Sequence, residues 1–171
     1  MKNIIFLLLV STLTFAGSLE DYTDRCLSAG GYYGNVSAKA LSSGEIKLIA
    51  SQGFGYNMTR QLNLDPAHTL STLFDKDNCK ARKTAAGNNV LNCFAEDLEV
   101  QFLSDHSDAV NKVKNVEKIW FSIKEALLET AEGTENSFIV SLHIRMLNEK
   151  GHPVIAETTF NFTEPLGTCT F

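Results

Sequence analysis

The chain has 171 residues, 44% of them apolar and 20% charged, with a net charge of −5 at pH 7. No block of five like charges occurs, so nucleic acid and anionic membrane surfaces, which reward clustered Lys and Arg, are excluded as leading partners. The length suits a single domain with enough chain to bury a core.

The first residues read as a secretory signal peptide. Lys2 supplies the charged start, and Ile4–Ala16 is an apolar run broken only by hydroxyls. Thr14 and Ala16 carry the small-residue spacing of a cleavage site, so cleavage is expected after Ala16. The run is short for a bilayer span, and no stop-transfer segment follows it. The expected organisation is a signal peptide over 1–16 and one β-rich exported domain over 17–171, secreted or periplasmic. Losing 16 of 171 residues leaves 155, and the loss of Lys2 takes the net charge to about −6.

Four cysteines in an exported chain predict two disulfides. Cys79–Cys93 would close the segment "CKARKTAAGNNVLNC", worth roughly 3 kcal/mol of loop entropy. Cys26–Cys169 would tie the two ends of the mature domain together, where fraying starts. A metal site built from all four cysteines is disfavoured because the chain has no Cys-x-x-Cys pair.

In chain order, "GGYYGNVSAKAL" reads as a strand with a glycine-loosened start. In "GEIKLIASQGFGYNMTRQLNL", Ile46, Leu48 and Ala50 share a phase that Phe54, Tyr56, Met58, Leu62 and Leu64 continue, with Arg60 the exception. That alternation predicts a hairpin turning at Ser51-Gln52-Gly53, with Ala50 opposite Phe54. "DPAHTLSTLF" reads as one helical turn started at Asp65-Pro66. "DKDNCK" begins like a calcium loop at Asp75 and then fails, with Lys80 in the glycine position and Ala86 in the glutamate position. "EDLEVQFL" alternates Leu98, Val100 and Phe102 against Asp97, Glu99 and Gln101, as a strand does.

"SDHSD", Ser104–Asp108, reads as the cap of a short helix near 106–114, although its carboxylates and His106 are also ordinary metal ligands. The next stretch is ambiguous. Val110, Val113, Val116, Trp120, Ile123 and Leu127 fit a helix face, whereas Ile119, Phe121 and Ile123 alternate as in a strand. The β-branched and aromatic content after 118 assigns about 116–128 to a strand. Finally, "SFIVSLHIRMLNEKGHPVIAETTFNFT" is a hairpin. Phe138, Val140, Leu142, Ile144 and Met146 share one phase, as do Val154, Ala156, Thr158, Phe160 and Phe162. Pairing like faces requires the turn Glu149-Lys150-Gly151, with Gly151 left-handed. In that register His143 faces Glu157, and Arg145 lies diagonal to Glu157, which makes them cross-strand polar partners on a wet face.

The expected fold is mainly β: an antiparallel β-sandwich or rolled sheet of about seven strands with one short helix, disulfide-bonded. Nucleophile-elbow, phosphate-loop and His-Glu-x-x-His motifs are missing. No catalytic residue, cofactor or metal is therefore assigned. Trp120 falls on the face opposite Ile119, Phe121 and Ile123, with Lys118 and Lys124 beside it. These three, with Tyr32 and Tyr33, are the candidate ligand-binding residues, because aromatic side chains with cationic neighbours anchor partners well. Asn35, Asn57 and Asn161 head Asn-x-Ser/Thr sequons, used only in a eukaryotic secretory pathway. The expected function is an exported, non-enzymatic β-domain that binds a protein, glycan or lipid outside the cytoplasm. The alternatives are a secreted hydrolase or metal-dependent enzyme using His106 with Asp105 or His143 with Glu157, and an inhibitor presenting Lys80, Arg82 and Lys83 on a long loop braced by Cys79–Cys93, or a structural envelope protein.

Overall fold

The computed structural model describes residues 19, 22–23, 25–28, 34–65, 67–104 and 110–163, with backbone alone at 25–28, 110–112, 114 and 163. The proposed signal peptide, Tyr32, Tyr33, His106 and the Cys26–Cys169 bridge lie outside the described side chains. Nine strands are described where about seven are expected from sequence: β1 (Arg25–Ser28), β2 (Asn35–Ala40), β3 (Glu45–Ser51), β4 (Thr69–Asp75), β5 (Cys79–Lys83), β6 (Asn89–Leu103), β7 (Val110–Thr130), β8 (Gly133–Leu147) and β9 (Pro153–Thr163). One α-helix, α1 (Gly53–Gln61), follows β3. All strand pairs are antiparallel, in the order β1-β2-β3-β4-β6-β7-β8-β9, and β5 pairs with β6 beside that path. Cys79 and Cys93 face each other across the β5–β6 pair, and their sulfurs are bonded.

The C-terminal hairpin has the register that its hydrophobic pattern demands. His143 pairs with Glu157, Ile144 with Ala156, and Leu147 with Pro153. Gly151 takes φ 75°, and its N–H donates to the Asn148 carbonyl at 2.8 Å. The Asn148 side-chain oxygen also accepts from the Lys150 and His152 amides, so the turn leaves few backbone groups unpaired.

The stretch after β3 differs from the hairpin reading. It forms α1, because Phe54, Met58 and Leu62 recur every four residues and the core uses that period. In a strand, Tyr56 and Arg60 would share the face of Phe54 and Met58. They point outward instead: Tyr56 is 39% exposed, and the Arg60 guanidinium lies 5.6 Å from its ring centre. The helical turn read at 65–74 is also corrected, since Thr69–Asp75 is strand β4, with Leu70 and Phe74 buried in alternation.

Helix α1 packs against β3, β4 and β9. β4 and β9 are four strand spacings apart in the sheet, roughly 19 Å if it were flat, whereas a helix with its side chains is about 10 Å across. The sheet therefore bends around α1. Phe54 meets Phe160 edge-on at 4.5 Å and lies parallel to Phe162 at 5.6 Å, while Phe74 meets Phe121 at 4.9 Å. These rings, with Met58, Leu70, Phe102 and Ile119, fill the interior. The buried Thr59 hydroxyl is satisfied by the Gly55 carbonyl at 2.9 Å.

The region read as a helix near 106–114 followed by a strand is corrected too. Residues 105–109 are outside the description, and β7 is already extended from Val110. The helix-like spacing arises from bulges. The β6–β7 register shifts between the pairs Leu98–Val116 and Val100–Val113, and the β7–β8 register shifts between Val116–Met146 and Lys118–Arg145. Each extra residue changes the phase, so the buried side chains run Val113, Val116, Ile119 at intervals of three. Asp97 (φ 53°) and Asn115 (φ 60°) absorb the distortion in the left-handed region.

The close approach of α1 to β4 rests on Gly55. A Cβ there would lie 2.8 Å from the His68 carbonyl carbon and 2.9 Å from the Thr69 nitrogen. Alanine inside a helix ordinarily gains about 1 kcal/mol over glycine. Gly55→Ala is instead expected to lose about 1–3 kcal/mol in urea denaturation, by overpacking against backbone. An unchanged or raised midpoint would mean that the His68 backbone yields freely.

Candidate functional site on the outer sheet face

Beyond the bulges, the even-numbered residues of β7 face away from the core. Successive pairings place Phe94 of β6 beside Trp120 of β7, Trp120 beside His143 of β8, and His143 beside Glu157 of β9. The result is one row across four strands. The Trp120 and His143 rings lie parallel, with centroids 4.7 Å apart and planes 6° apart. The His143 Nδ1 is 3.4 Å from a Glu157 carboxylate oxygen. Lys118, one pair along, places its ammonium 5.3 Å from the Phe94 ring centre and 3.3 Å from the Glu96 carboxylate.

The row ends on the helix. The Gln61 amide nitrogen donates to the Glu157 carbonyl at 2.8 Å, and the Glu157 N–H donates to the Gln61 side-chain oxygen at 2.8 Å. The side chain thus pairs with the strand as another peptide would. Arg145 corrects the sequence reading: it is not held diagonally by Glu157. It donates from Nε to the Glu117 carboxylate at 2.7 Å, because the bulge at Glu117 brings that residue within reach.

Of the five candidate binding residues, Trp120 belongs to this row, and Lys118 reaches it from the neighbouring pair through the Phe94 ring. Lys124 lies four residues along β7, between Val90 and Ile139, about 13 Å away by strand rise. Tyr32 and Tyr33 are outside the described residues. Phe94, 37% exposed, is the member that sequence reasoning misses. Extending the buried phase of Leu98, Val100 and Phe102 back along β6 puts Phe94 inside, but the reversal at Asp97 turns it out.

A row of mixed small polar residues flanks the aromatic one. Asn92, Ser122, Ser141 and Thr159 align, and the Thr159 hydroxyl donates to Ser141 at 3.0 Å. The exposed ion pairs are each worth at most about 1 kcal/mol, and the Trp–His stack about 0.5–1.5 kcal/mol. The row stabilises the sheet modestly while keeping apolar edge in water.

Concave surface lies elsewhere, at the end of the sheet by the bulges. A groove of about 640 Å³ is lined by Asp97, Glu99, Asn115, Glu117 and Asn148, and an adjoining one of about 670 Å³ by Gln61, Leu64, Met146, Lys150 and Val154, among others. Trp120, His143 and Glu157 line neither. Among the described residues no group of three His, Cys, Asp or Glu side chains is placed to hold a metal ion. No described helix is long and apolar enough to cross a membrane. Comparison with known proteins matches no family model, no curated protein and no solved structure.

Trp120 is the only tryptophan of the chain. Because the imidazole lies against the indole, His143→Ala is expected to red-shift its emission and to cost about 0.5–1.5 kcal/mol in urea denaturation. An unchanged spectrum and midpoint would mean that the stack contributes nothing.

Proposed function

We propose that the protein is a non-enzymatic recognition domain that works outside the cytoplasm and binds a protein partner through the outer face of β6–β9. The observation that carries this reading is the placement of Phe94, Trp120 and Lys118 on a sheet face whose opposite side is a filled core. An aromatic centre with a neighbouring cation and a polar surround is the composition of a protein-binding patch.

The geometry favours protein over the other two partner classes. A lipid carrier needs an internal cavity, and here Phe54, Phe74, Phe121 and Phe162 occupy the interior. A glycan platform presents the flat face of an aromatic ring. A ring stacked on its cross-strand neighbour, as Trp120 is on His143, turns its face along the sheet and offers its edge outward. Edge contacts of this kind suit the irregular surface of a folded protein. The Cys79–Cys93 disulfide supports an oxidising compartment, in keeping with the signal-like first 16 residues.

The enzyme alternative that used His143 with Glu157 has less support, because that pair stands on open sheet and not in a cleft. The inhibitor alternative relied on a long loop between Cys79 and Cys93. That segment is a β-hairpin of two paired strands with a short turn.

The test is quantitative binding of a partner captured from the extracellular or envelope fraction and then purified. The double variant Phe94→Ala/Trp120→Ala is expected to bind at least about ten-fold more weakly by calorimetry, as for loss of an interface anchor. Both residues are partly exposed, so its circular dichroism should match that of the parent. Equal affinity would remove this face from recognition, and a partner that proved to be a glycan or lipid would refute the protein assignment.

A further inference from the structure

β6 and β9 stop short of the β7–β8 hairpin turn. β6 begins at Asn89, with Val90 opposite Lys124, and β9 ends at Thr163, opposite Ser137. The β7–β8 ribbon continues past both, through the pairs Leu127–Asn136, Leu128–Glu135 and Glu129–Thr134, to a turn at Ala131-Glu132. Among the described strands, none pairs with either side of this arm. A two-stranded ribbon alone in water is marginal. This one also leaves Leu127 70% exposed.

Its charge has one sign. Residues 126–137, "ALLETAEGTENS", hold Glu129, Glu132 and Glu135, all exposed, and no Lys or Arg. Strand β5, "CKARK", holds Lys80, Arg82 and Lys83, all exposed, and no Asp or Glu. Among the described residues, none of these six side chains makes an ion pair. Among the described strands, β5 pairs only with β6. β5 and the arm lie at the same end of the sheet, separated by β6, which puts them about 10 Å apart sideways. Lys80 is level with Ser122, and Glu129 lies beyond β5 along the strands, so the two clusters are offset and do not neutralise each other.

We propose that the occupant of this end is a second copy of the chain, related by a two-fold axis. A two-fold contact needs a self-complementary patch, in which one part of the surface fits another part of the same surface. An acidic arm beside a basic strand is such a patch. The arm of each copy lies against β5 of the other, and Leu127 leaves water. The lysines and arginine guard β5 against pairing with another β5, since like charges repel, while they attract the arm. The contact is small, so the dimer is reversible and weakens with salt.

Sedimentation of the oxidised mature protein tests this. At low ionic strength the mass is expected to rise from monomer to dimer with concentration, and 0.5 M NaCl should weaken association at least about ten-fold. Glu129→Lys/Glu132→Lys/Glu135→Lys should be monomeric, and so should Lys80→Glu/Arg82→Glu/Lys83→Glu. Mixed together, these two variants are complementary and should form a one-to-one dimer. All six positions are exposed, and circular dichroism of each variant confirms folding before the mixing experiment. A parent that stays monomeric up to about 1 mM, or a dimer indifferent to both charge reversals, overturns the proposal.

Discussion

The packing of one short helix inside one bent sheet is the constraint on which the rest depends. Phe54 reaches Phe160 and Phe162 on β9 while the backbone at Gly55 rests against β4. Those two strands stand on either side of the long β6–β7–β8 run. Without a residue lacking Cβ at position 55, the helix could not sit deep enough for Phe54 to make the far contact. Gln61 then fixes the helix end to the β9 edge through two hydrogen bonds to one peptide. An edge strand is usually a liability, and here part of it is occupied by a side-chain amide.

The bulges are the second determinant, and they act on both faces at once. By shifting phase at Asp97, Asn115 and Glu117, they let a sheet that bends keep its apolar residues inside. The same shifts turn Phe94 outward beside Trp120 and bring Glu117 to Arg145. The same segments line the acidic groove. Curvature and aromatic row thus share one local cause, an extra residue in a long strand.

Legibility in the sequence followed the range of the interaction. The β8–β9 hairpin was readable because its pattern, its turn glycine and its pairing all lie within 27 residues, and each dictates the same register. Cys79–Cys93 was readable for a similar reason, as a bridge across a hairpin. Helix α1 was not, because Phe54, Met58 and Leu62 satisfy both a period of two and a period near four, and Tyr56 adds a match to the period of two. Only the need to bury Phe54 and expose Tyr56 separates the two. In β7 the error had the opposite sense: bulged strand residues at intervals of three imitated a helix.

For the outer face, the sequence determined that Trp120 and Lys118 oppose the buried Ile119 and Phe121, and that His143 faces Glu157, since strand alternation and a tight turn are local rules. It did not determine that these two facts concern a single site. Joining them requires the β7–β8 register, and adding Phe94 requires the phase reversal in β6. Both depend on pairings between residues distant in sequence, which the packed sheet selects. For the arm, the acidic composition is written in residues 126–137, but its reach past the described neighbouring strands depends on where β6 begins and β9 ends, which only the packed sheet decides.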